Sequence, residues 1–314
     1  MSIDSGRLLV LTYHYIRDAG GGYPGIHPIT SDEFSDQIYF LKKHLHPATV
    51  REVEDFLIHK IPLEKDAFFL TFDDGLIDHY DAAQSVLSQH NMKGAFFIPT
   101  RPLEDLKSPA VQKIHWLRAH TPPSLFIKYL KEFLPSSWNN IALSSEDKKR
   151  AAAMHIHDEP DIQALKFALN FLLPYDVVDK VMSKMLSKFN LDEKKFCDDL
   201  FMNEIQIKKL NDAGHIIGLH GHTHAPLSLY SNNDAKKDVL KNSKKLYSII
   251  DEKPKWMSYP YGRPDALPND TKKFCSDCEV DIAFTLMSGF NEFGGDNTSL
   301  KRITPNELPT FFNI

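Results

Sequence analysis

The segment Phe68-Phe69-Leu70-Thr71-Phe72-Asp73-Asp74-Gly75 decides how the rest of the chain is interpreted. Its first five residues are largely apolar, which predicts a short buried strand. Two adjacent carboxylates follow, and burying them side by side is costly unless a cation or a shared proton offsets their repulsion. Gly75 allows a sharp turn that lets neighbouring side chains converge. An isolated Asp-Asp-Gly sequence is more often an ordinary turn, so its meaning depends on the rest of the chain.

Strand and helix patterns alternate on both sides of this segment. A strand is predicted at 7–16, a capping box at Thr30–Glu33 opens a helix, and Gly94–Ile98 forms another buried strand. This alternation indicates parallel βαβ units. From about 101 to 200 only helical patterns occur, so we predict one α/β domain, residues 1–314, with a helical insert that caps one end. The alternation then resumes, with strands predicted at His215–Leu219, Lys255–Tyr259 and Asp281–Leu286.

Composition and charge narrow the class of protein. The chain has 314 residues, 42% of them hydrophobic and 25% charged, which is ordinary for a globular enzyme. A net charge of -5 without basic runs argues against nucleic-acid binding. Three cysteines do not make a disulfide framework, no 18-residue apolar run occurs, and the first residues lack a signal-peptide pattern. We therefore expect a cytoplasmic protein without a transmembrane segment, whose oligomeric state the sequence does not indicate.

A second group of polar residues follows the strand predicted at His215–Leu219. The sequence His220-Gly221-His222-Thr223-His224 places three imidazoles within five residues. Imidazoles and carboxylates gathered at strand ends are the ligands of catalytic metal sites that keep an open coordination position. Spacing alone does not select the ligands. In an extended chain all three histidines share one face, whereas on a helical turn only His220 and His224 do.

Taken together, these segments resemble the signature motifs of the polysaccharide deacetylases, carbohydrate esterase family 4. The motifs are Thr71–Gly75, His220-x-x-x-His224 and Ser258-Tyr259-Pro260-Tyr261-Gly262. They occur in the family's order, and each lies at the end of a predicted strand. The resemblance covers roughly residues 7–100 and 200–305 and leaves the helical insert unmatched. It implies a distorted (β/α) barrel of about seven parallel strands.

The resemblance also implies a role for each matched residue. Asp74, His220 and His224 would hold one divalent metal ion. Zinc is the default for mixed nitrogen and oxygen ligands, with cobalt, nickel or iron as alternatives. Asp73 would be the general base, and the backbone N–H of Tyr261 would stabilise the oxyanion. No further cofactor is expected.

The sequence departs from the family pattern in two places. Ser258 stands where the family has an arginine, and Arg263 and Arg302 are the candidates to replace it. The late Leu-x-His motif, which supplies the general acid, is absent because no histidine follows Leu286. A subset of the family, including the poly-N-acetylglucosamine deacetylases, looks circularly permuted and carries this histidine on the first strand. His14 resembles that variant and would be the acid, and its alternative role is that of a buried structural imidazole.

The function implied by the resemblance is that of a metal-dependent N-deacetylase. Such a hydrolase removes an N-acyl group, in particular N-acetyl, from an amino sugar in glycan or glycoconjugate biosynthesis. A cytoplasmic location favours a nucleotide-linked or lipid-linked sugar over an extracellular polymer. Two alternatives stay open, an allantoinase-like amidohydrolase of a small non-sugar amide or ureide and a catalytically inactive sugar-binding module.

Overall fold

Two compact units make up the described part of the chain. The computed structural model describes residues 5–17, 28–136, 143–154 and 160–312. Of the described residues, the first unit includes 5–17, 28–107 and 197–312, and the second includes those between Ser108 and Phe196. The second unit therefore spans fewer residues than the insert predicted at 101–200. Within the described residues, no helix has the length and the apolar character needed to cross a membrane.

A parallel sheet forms the framework of the first unit. Its strands are β1 (Leu8–Tyr13), β2 (His46–Pro47), β3 (Ala67–Phe72), β4 (Gly94–Ile98), β5 (Ile216–Leu219), β6 (Trp256–Ser258) and β7 (Ile282–Phe284). Among the described residues these seven strands form one sheet in the order β1-β3-β4-β5-β6-β7, with β2 also beside β3. Every strand pair is parallel. The fold predicted from the sequence, a distorted (β/α) barrel of about seven strands, is confirmed.

A short segment at 300–303 connects the two edges of this sheet. Leu300 pairs with Phe284 of β7, and Ile303 pairs with Leu11 of β1. The backbone N–H of Leu300 donates to the oxygen of Ala283, and that of Ile303 donates to the oxygen of Val10, each at 2.9 Å. Because one segment pairs with both edges, the sheet curls into a barrel whose ends are joined.

Helices follow most of the strands. They are α1 (Ser31–His44), α2 (Val50–Glu54), α3 (Ile77–Ala82), α4 (Arg101–Glu104), α5 (Ala110–His120), α6 (Pro123–Phe133), α7 (Ser145–Met154), α8 (Pro160–Phe167), α9 (Tyr175–Ser187), α10 (Glu193–Leu200), α11 (Glu204–Asp212), α12 (Asn232–Ile250), α13 (Thr271–Cys278) and α14 (Leu308–Phe312). Helices α2, α3 and α8 continue as π-helical turns at Asp55–His59, Ala83–Leu87 and Ala168–Leu172, and 3₁₀ turns occur at Leu227–Leu229, Pro264–Ala266 and Pro305–Glu307. The predicted capping box is present, since Thr30 Oγ1 accepts from Glu33 N and Glu33 Oε2 accepts from Thr30 N.

Successive residues of the strands contribute to two different cores. The first core packs the strands against α1, α11, α12 and α13 and contains Leu9, Leu11, Tyr13, Phe68, Leu70, Phe72, Phe96 and Ile98. The second core fills the interior of the curled sheet with the alternate residues Leu8, Val10, Ala67, Phe69, Ala95, Phe97, Trp256, Ile282 and Phe284. Side chains two residues apart on a strand share a face. Asp73 therefore continues the interior-facing series of β3, and His14 continues that of β1.

The second unit has a core of its own. It is built from α5, α6 and α9, with Leu117, Phe126 and Met182 among its buried residues. A fully buried lysine, Lys113, lies inside this unit and donates to Asp179 at 2.8 Å. The described residues thus include a helical unit that can be packed independently of the sheet. That this unit caps the mouth of the barrel stays a prediction.

Candidate metal centre and active site

Polar side chains meet where four strands of the sheet end. Asp73 and Asp74 follow β3, His220 follows β5, and Ser258 is the last residue of β6. His14 lies one residue beyond β1. Parallel strands place their carboxyl ends at one edge of a sheet, which is where (β/α) folds carry their chemistry. Segments far apart in the sequence therefore contribute to one site.

Three donor atoms at this edge form a tight triangle. Asp74 Oδ1 lies 3.0 Å from His224 Nε2 and 3.3 Å from His220 Nε2, and the two imidazole nitrogens are 3.1 Å apart. All three residues are buried, and within the described residues no other group of histidine, cysteine and carboxylate side chains is arranged to hold a metal ion. Ligands that share one ion at about 2.0–2.2 Å are about 3 Å from each other, so the triangle fits one metal ion.

Hydrogen bonding prepares His220 to bind a metal. Its Nδ1 donates to the backbone oxygen of Ser258 at 2.7 Å. Because Nδ1 carries the proton, Nε2 presents its lone pair to the triangle, which is the tautomer that a ligating imidazole needs. Nδ1 of His224 is buried and has no hydrogen-bond partner among the described residues. The donor set of one carboxylate and two imidazoles fits a zinc-type divalent ion.

The backbone at the site is held in an unusual conformation. Asp74, His224 and Tyr261 adopt positive φ angles of 77°, 60° and 63°. A residue other than glycine in this left-handed region is disfavoured by about 1–2 kcal/mol, and such residues cluster at functional sites. Gly75, next to Asp74, has φ 64°, and a Cβ there would lie 3.0 Å from the Ile98 side chain. The turn after β3 therefore requires glycine at this position.

A buried arginine holds Asp73. Nη1 and Nη2 of Arg302 donate to Oδ1 and Oδ2 of Asp73 at 2.8 and 2.7 Å. Ser258 Oγ donates to Oδ2 at 2.9 Å, and Nε of Arg302 donates to the backbone oxygen of Thr285 at 2.8 Å. Arg302 thus forms two parallel hydrogen bonds with the predicted general base. Arg263, the other candidate from the sequence, is exposed.

The surroundings of both adjacent carboxylates favour their ionised forms. Burial alone would raise the pKa of Asp73, but the charges of Arg302 and the nearby imidazoles and the hydrogen bonds of Arg302 hold it well below its usual range. Burial would likewise raise the pKa of Asp74, and in the metal-free site the charge of a protonated His224 and hydrogen bonds from the two imidazoles hold that pKa well below its ordinary value. A bound ion would take the place of those Nε2 protons.

His14 is brought to the site by the pairing of β1 with β3. The backbone N–H of Asp73 donates to the oxygen of Tyr13 at 3.0 Å, which places His14 beside the two carboxylates. The backbone oxygen of His14 accepts a hydrogen bond from Nε2 of the fully buried His79. The structure therefore places His14 next to two other predicted site residues, Asp73 and Asp74. Its role as the acid stays a prediction.

The remaining predicted residues lie around the triangle. Tyr261 follows β6, and its ring centroid is 5.3 Å from that of His224. The imidazole of His222 has other neighbours, with Nδ1 3.1 Å from Thr100 Oγ1 and Nε2 3.1 Å from Asp105 Oδ2. The loop after β5 therefore separates His222 from the other two histidines, a choice that the sequence spacing had left open.

Sequence analysis missed two residues that contact this loop. Asp238 and Asn242, on α12, accept hydrogen bonds from backbone N–H groups of His222 and His220 at 2.8 and 2.9 Å. Both are ordinary polar residues within a helical pattern, and nothing in that pattern indicates which polar side chains face a neighbouring loop. Their contact with the loop can be recognised only once the structure shows the loop and the helix side by side.

Comparison of the sequence with protein families gives one match. The model of the family described as polysaccharide deacetylase matches residues 177–280. This segment contains His220, His224 and the Pro260–Gly262 sequence, whereas Asp73 and His14 lie outside it. Comparison with curated proteins gives no significant match.

Several solved structures share the fold. IcaB from Ammonifex degensii is 16% identical with a TM-score of 0.58, and the alignment covers 98% of this chain and 95% of that one. The Streptococcus pyogenes deacetylase PplD in complex with acetate is 15% identical with a TM-score of 0.58, covering 98% of both chains. The BpsB deacetylase domain from Bordetella bronchiseptica is 15% identical with a TM-score of 0.55, covering 95% of both. At these identities the likeness is one of fold.

Proposed function

On the premise that this chain has the sequence motifs and the fold of the polysaccharide deacetylases, as predicted, we propose that it is a metal-dependent hydrolase that removes an N-acyl group from an amino sugar. The observation that carries the proposal is the triangle of Asp74, His220 and His224 beside the ionised Asp73. Three donors around one point and an adjacent carboxylate are the parts that metal-assisted amide hydrolysis requires.

Asp74, His220 and His224 would hold the metal ion. When bound there, a divalent ion such as zinc supplies a Lewis acid that acidifies a water molecule and polarises the acyl oxygen. Zinc is the first choice for these ligands, and cobalt, nickel or iron suits the same donor set. The hydrogen bond from His220 to the backbone oxygen of Ser258 places the proton of the neutral imidazole on Nδ1 and leaves Nε2 to bind the ion.

Asp73 takes the proton of the attacking water. Its Oδ2 accepts hydrogen bonds from Arg302 and Ser258, whereas Oδ1 accepts one, from Arg302, among the described residues. Oδ1 therefore retains a lone pair for the proton. The two parallel hydrogen bonds from Arg302 fix the plane of the carboxylate, so that it does not have to reorient during the reaction.

Tyr261 and His14 act on the other atoms of the amide. As the water oxygen adds to the acyl carbon, the backbone N–H of Tyr261 donates to the oxygen that becomes negative. The bond between the acyl carbon and the nitrogen then breaks, and a protonated His14 gives its proton to the departing amine. The products are a free carboxylate and an amino sugar.

The substrate is proposed to be an N-acetylated amino sugar used in glycan or glycoconjugate biosynthesis. The family match and the fold likeness support a sugar substrate, and the similar structure of PplD was determined in complex with acetate, the acid that N-acetyl hydrolysis releases. We propose that this substrate is a nucleotide-linked or lipid-linked sugar. The proposed setting is the cytoplasm.

Acid release from a substrate panel tests this function. Metal-loaded protein is incubated with N-acetylated monosaccharides, chito-oligosaccharides, nucleotide sugars, their N-formyl analogues and a ureide such as allantoin. We expect acetate or formate to appear with an equal amount of amine from a sugar, and Asp73→Asn to abolish this release. Hydrolysis of the ureide alone would favour an allantoinase-like enzyme. Tight binding of an oligosaccharide without turnover would favour a sugar-binding module.

A further inference from the structure

We propose that Asp238 of α12 is the positioning residue that shapes the metal-binding loop and thereby sets the affinity of the site for its ion. The inference rests on the proposed metal centre at Asp74, His220 and His224. Asp238 contacts neither the triangle nor the reacting atoms. It acts through the backbone of the residues between the two ligating histidines.

The loop after β5 has a conformation that it cannot hold by backbone pairing. Gly221 and His224 have positive φ angles of 70° and 60°, so the chain turns sharply twice within five residues. Such a turn takes backbone N–H groups out of the strand pairing that would satisfy them. A buried N–H group without an acceptor is costly, so an acceptor from elsewhere is required.

One carboxylate accepts from two successive backbone N–H groups of this loop. Oδ2 of Asp238 accepts from the backbone N–H of His222 at 2.8 Å. Oδ1 accepts from the backbone N–H of Thr223 at 3.1 Å and from its hydroxyl at 2.8 Å. Hydrogen bonds to an ionised acceptor are about twice as strong as neutral ones. Among the described residues, every hydrogen bond of the Asp238 side chain goes to this loop.

Asn242 holds the start of the same loop from one turn further along α12. Its Oδ1 accepts from the backbone N–H of His220 at 2.9 Å. Its Nδ2 donates to the backbone oxygen of Ile98 at 2.9 Å and lies 3.2 Å from Thr100 Oγ1. Asn242 thus links the loop to the end of β4 as well. Asp238 is the residue whose contacts serve the loop alone.

Packing at Gly221 supports the same assignment independently. A Cβ atom on Gly221 would lie 2.8 Å from Oδ2 of Asp238, closer than real Cβ contacts come. The carboxylate therefore occupies the space that a side chain at 221 would need. Gly221 leaves this space open because it has no side chain, and the carboxylate of Asp238 occupies the space with a hydrogen-bond acceptor.

Zinc titration of metal-free protein tests the role of Asp238. Asp238→Asn keeps the shape of the side chain but turns one acceptor oxygen into an N–H donor that faces backbone N–H groups. We expect zinc binding to weaken by about 10–100-fold, the usual effect of losing a residue that orients metal ligands. Thr223→Val leaves both backbone contacts of Asp238 in place and removes the hydroxyl with its contacts to Asp238, Tyr230 and Ala225, so it is expected to weaken zinc binding by a smaller factor.

Asp234→Asn is the matched control. Asp234 lies on the same helix, and its side chain contacts Ser231 and Lys237 rather than the loop. We expect this variant to bind zinc within about twofold of the wild type, since a remote surface charge contributes little. The visible absorption of the cobalt-loaded protein is expected to change in Asp238→Asn and to stay the same in Asp234→Asn, because it reports the ligand geometry directly.

The outcomes separate this inference from the proposed function. The inference about Asp238 is overturned if Asp238→Asn binds zinc as the wild type does and only lowers the unfolding temperature of the metal-free protein. That result would make Asp238 a structural residue while leaving the metal centre in place. A wild-type protein that binds no divalent ion would overturn the proposed centre, and this inference with it.

Discussion

At the scale of single residues, His14 has a position that suits a proton donor. It continues the interior-facing series of β1 and lies beside the two carboxylates, and His79 holds its backbone oxygen. We expect His14→Ala to keep its metal content and to lower amide turnover by about 100-fold or more, the usual contribution of a positioned acid. The alkaline limb of the pH profile should disappear, because that limb reflects loss of the imidazole proton.

An activated aryl ester provides the control reaction for His14→Ala. Its leaving group needs no proton, so its hydrolysis should fall far less than that of the amide. His46→Ala serves as a control variant, since His46 pairs with Glu52 and follows no catalytic motif. Equal losses with the amide and the ester, or an unfolded protein, would assign His14 a structural role instead.

Arg302 controls the acidic limb of the same profile. Its charge and hydrogen bonds lower the pKa of Asp73, and the proposed role of Asp73 as the base requires the ionised carboxylate. Removing that charge raises the pKa of Asp73, so activity is lost at a higher pH as the solution is acidified. We expect Arg302→Met to move the acidic limb upward by about one pH unit or more and Arg302→Lys to move it less. Measurement of kcat against pH checks this, and an unmoved limb in Arg302→Met would contradict it.

His215 makes the stability of the protein depend on pH. Burial lowers its pKa to about 4, with a smaller contribution from Lys93, and its Nδ1 accepts from the backbone N–H of Gly94 at 3.1 Å. The unfolded chain, with a histidine pKa of about 6.5, binds a proton first as the pH falls. Stability is therefore full above about pH 6.5 and declines down to about pH 4, by up to about 3 kcal/mol for this group.

Denaturant unfolding of the metal-free protein between pH 7.5 and 4.5 measures this decline. His215→Asn keeps an acceptor for Gly94 but cannot be protonated, so its stability should fall less steeply with pH. His59→Asn, at an exposed position, should fall as the wild type does. A slope in His215→Asn equal to that of the wild type would show that His215 does not contribute.

At the scale of elements, the sequence pattern succeeded where one physical rule dominates. The strand Gly94–Ile98 and the capping box at Thr30–Glu33 were predicted as observed, because apolar periodicity and capping act locally. Helix α5 has a weaker helical signal in the sequence. Its buried face contains Gln112 and Lys113, and polar residues at buried positions conceal the helical period.

The burial of Lys113 makes α5 dependent on two other helices. Lys113 is fully buried and pairs with Asp179 of α9 and Glu193 of α10. Removing the cation takes away the charge that Asp179 and Glu193 both pair with, and breaking a buried pair in this way usually costs about 3–5 kcal/mol. We expect Lys113→Met to destabilise the protein by about that amount in denaturant unfolding. Lys180→Met, which removes an exposed pair with Asp176, should cost less than about 1 kcal/mol. Similar effects in the two variants would contradict this account of Lys113.

At the scale of the whole molecule, the sequence predicted the residues of the candidate site better than the residues that hold them in position. Asp74, His220 and His224 lie in compact motifs, so the resemblance identified them. Arg302 reaches Asp73 only because the segment at 300–303 joins the two edges of the sheet. A contact that depends on closure of the barrel has no local signal in the sequence. The same holds for Asp238, whose partners lie on a loop that precedes its helix.

The place of the helical unit also belongs to this scale. The sequence predicts that the insert covers the end of the barrel that carries the site, since it follows the strand next to the Asp-Asp strand. A crystal structure with Ser108–Phe196 near His220 would support this prediction. A structure with the unit at the amino ends of the strands would contradict it, and substrate selection would then depend on the barrel loops alone.

The metal content of a set of variants tests the central claim most directly. Elemental analysis of purified, dialysed protein should give one divalent ion per wild-type chain. Asp74→Asn, His220→Ala and His224→Ala should each retain almost none, because two donors of the triangle do not hold an ion firmly. His222→Ala should retain the ion, since its imidazole lies against Thr100 and Asp105. Loss of the ion in His222→Ala together with its retention in His220→Ala would contradict the assignment.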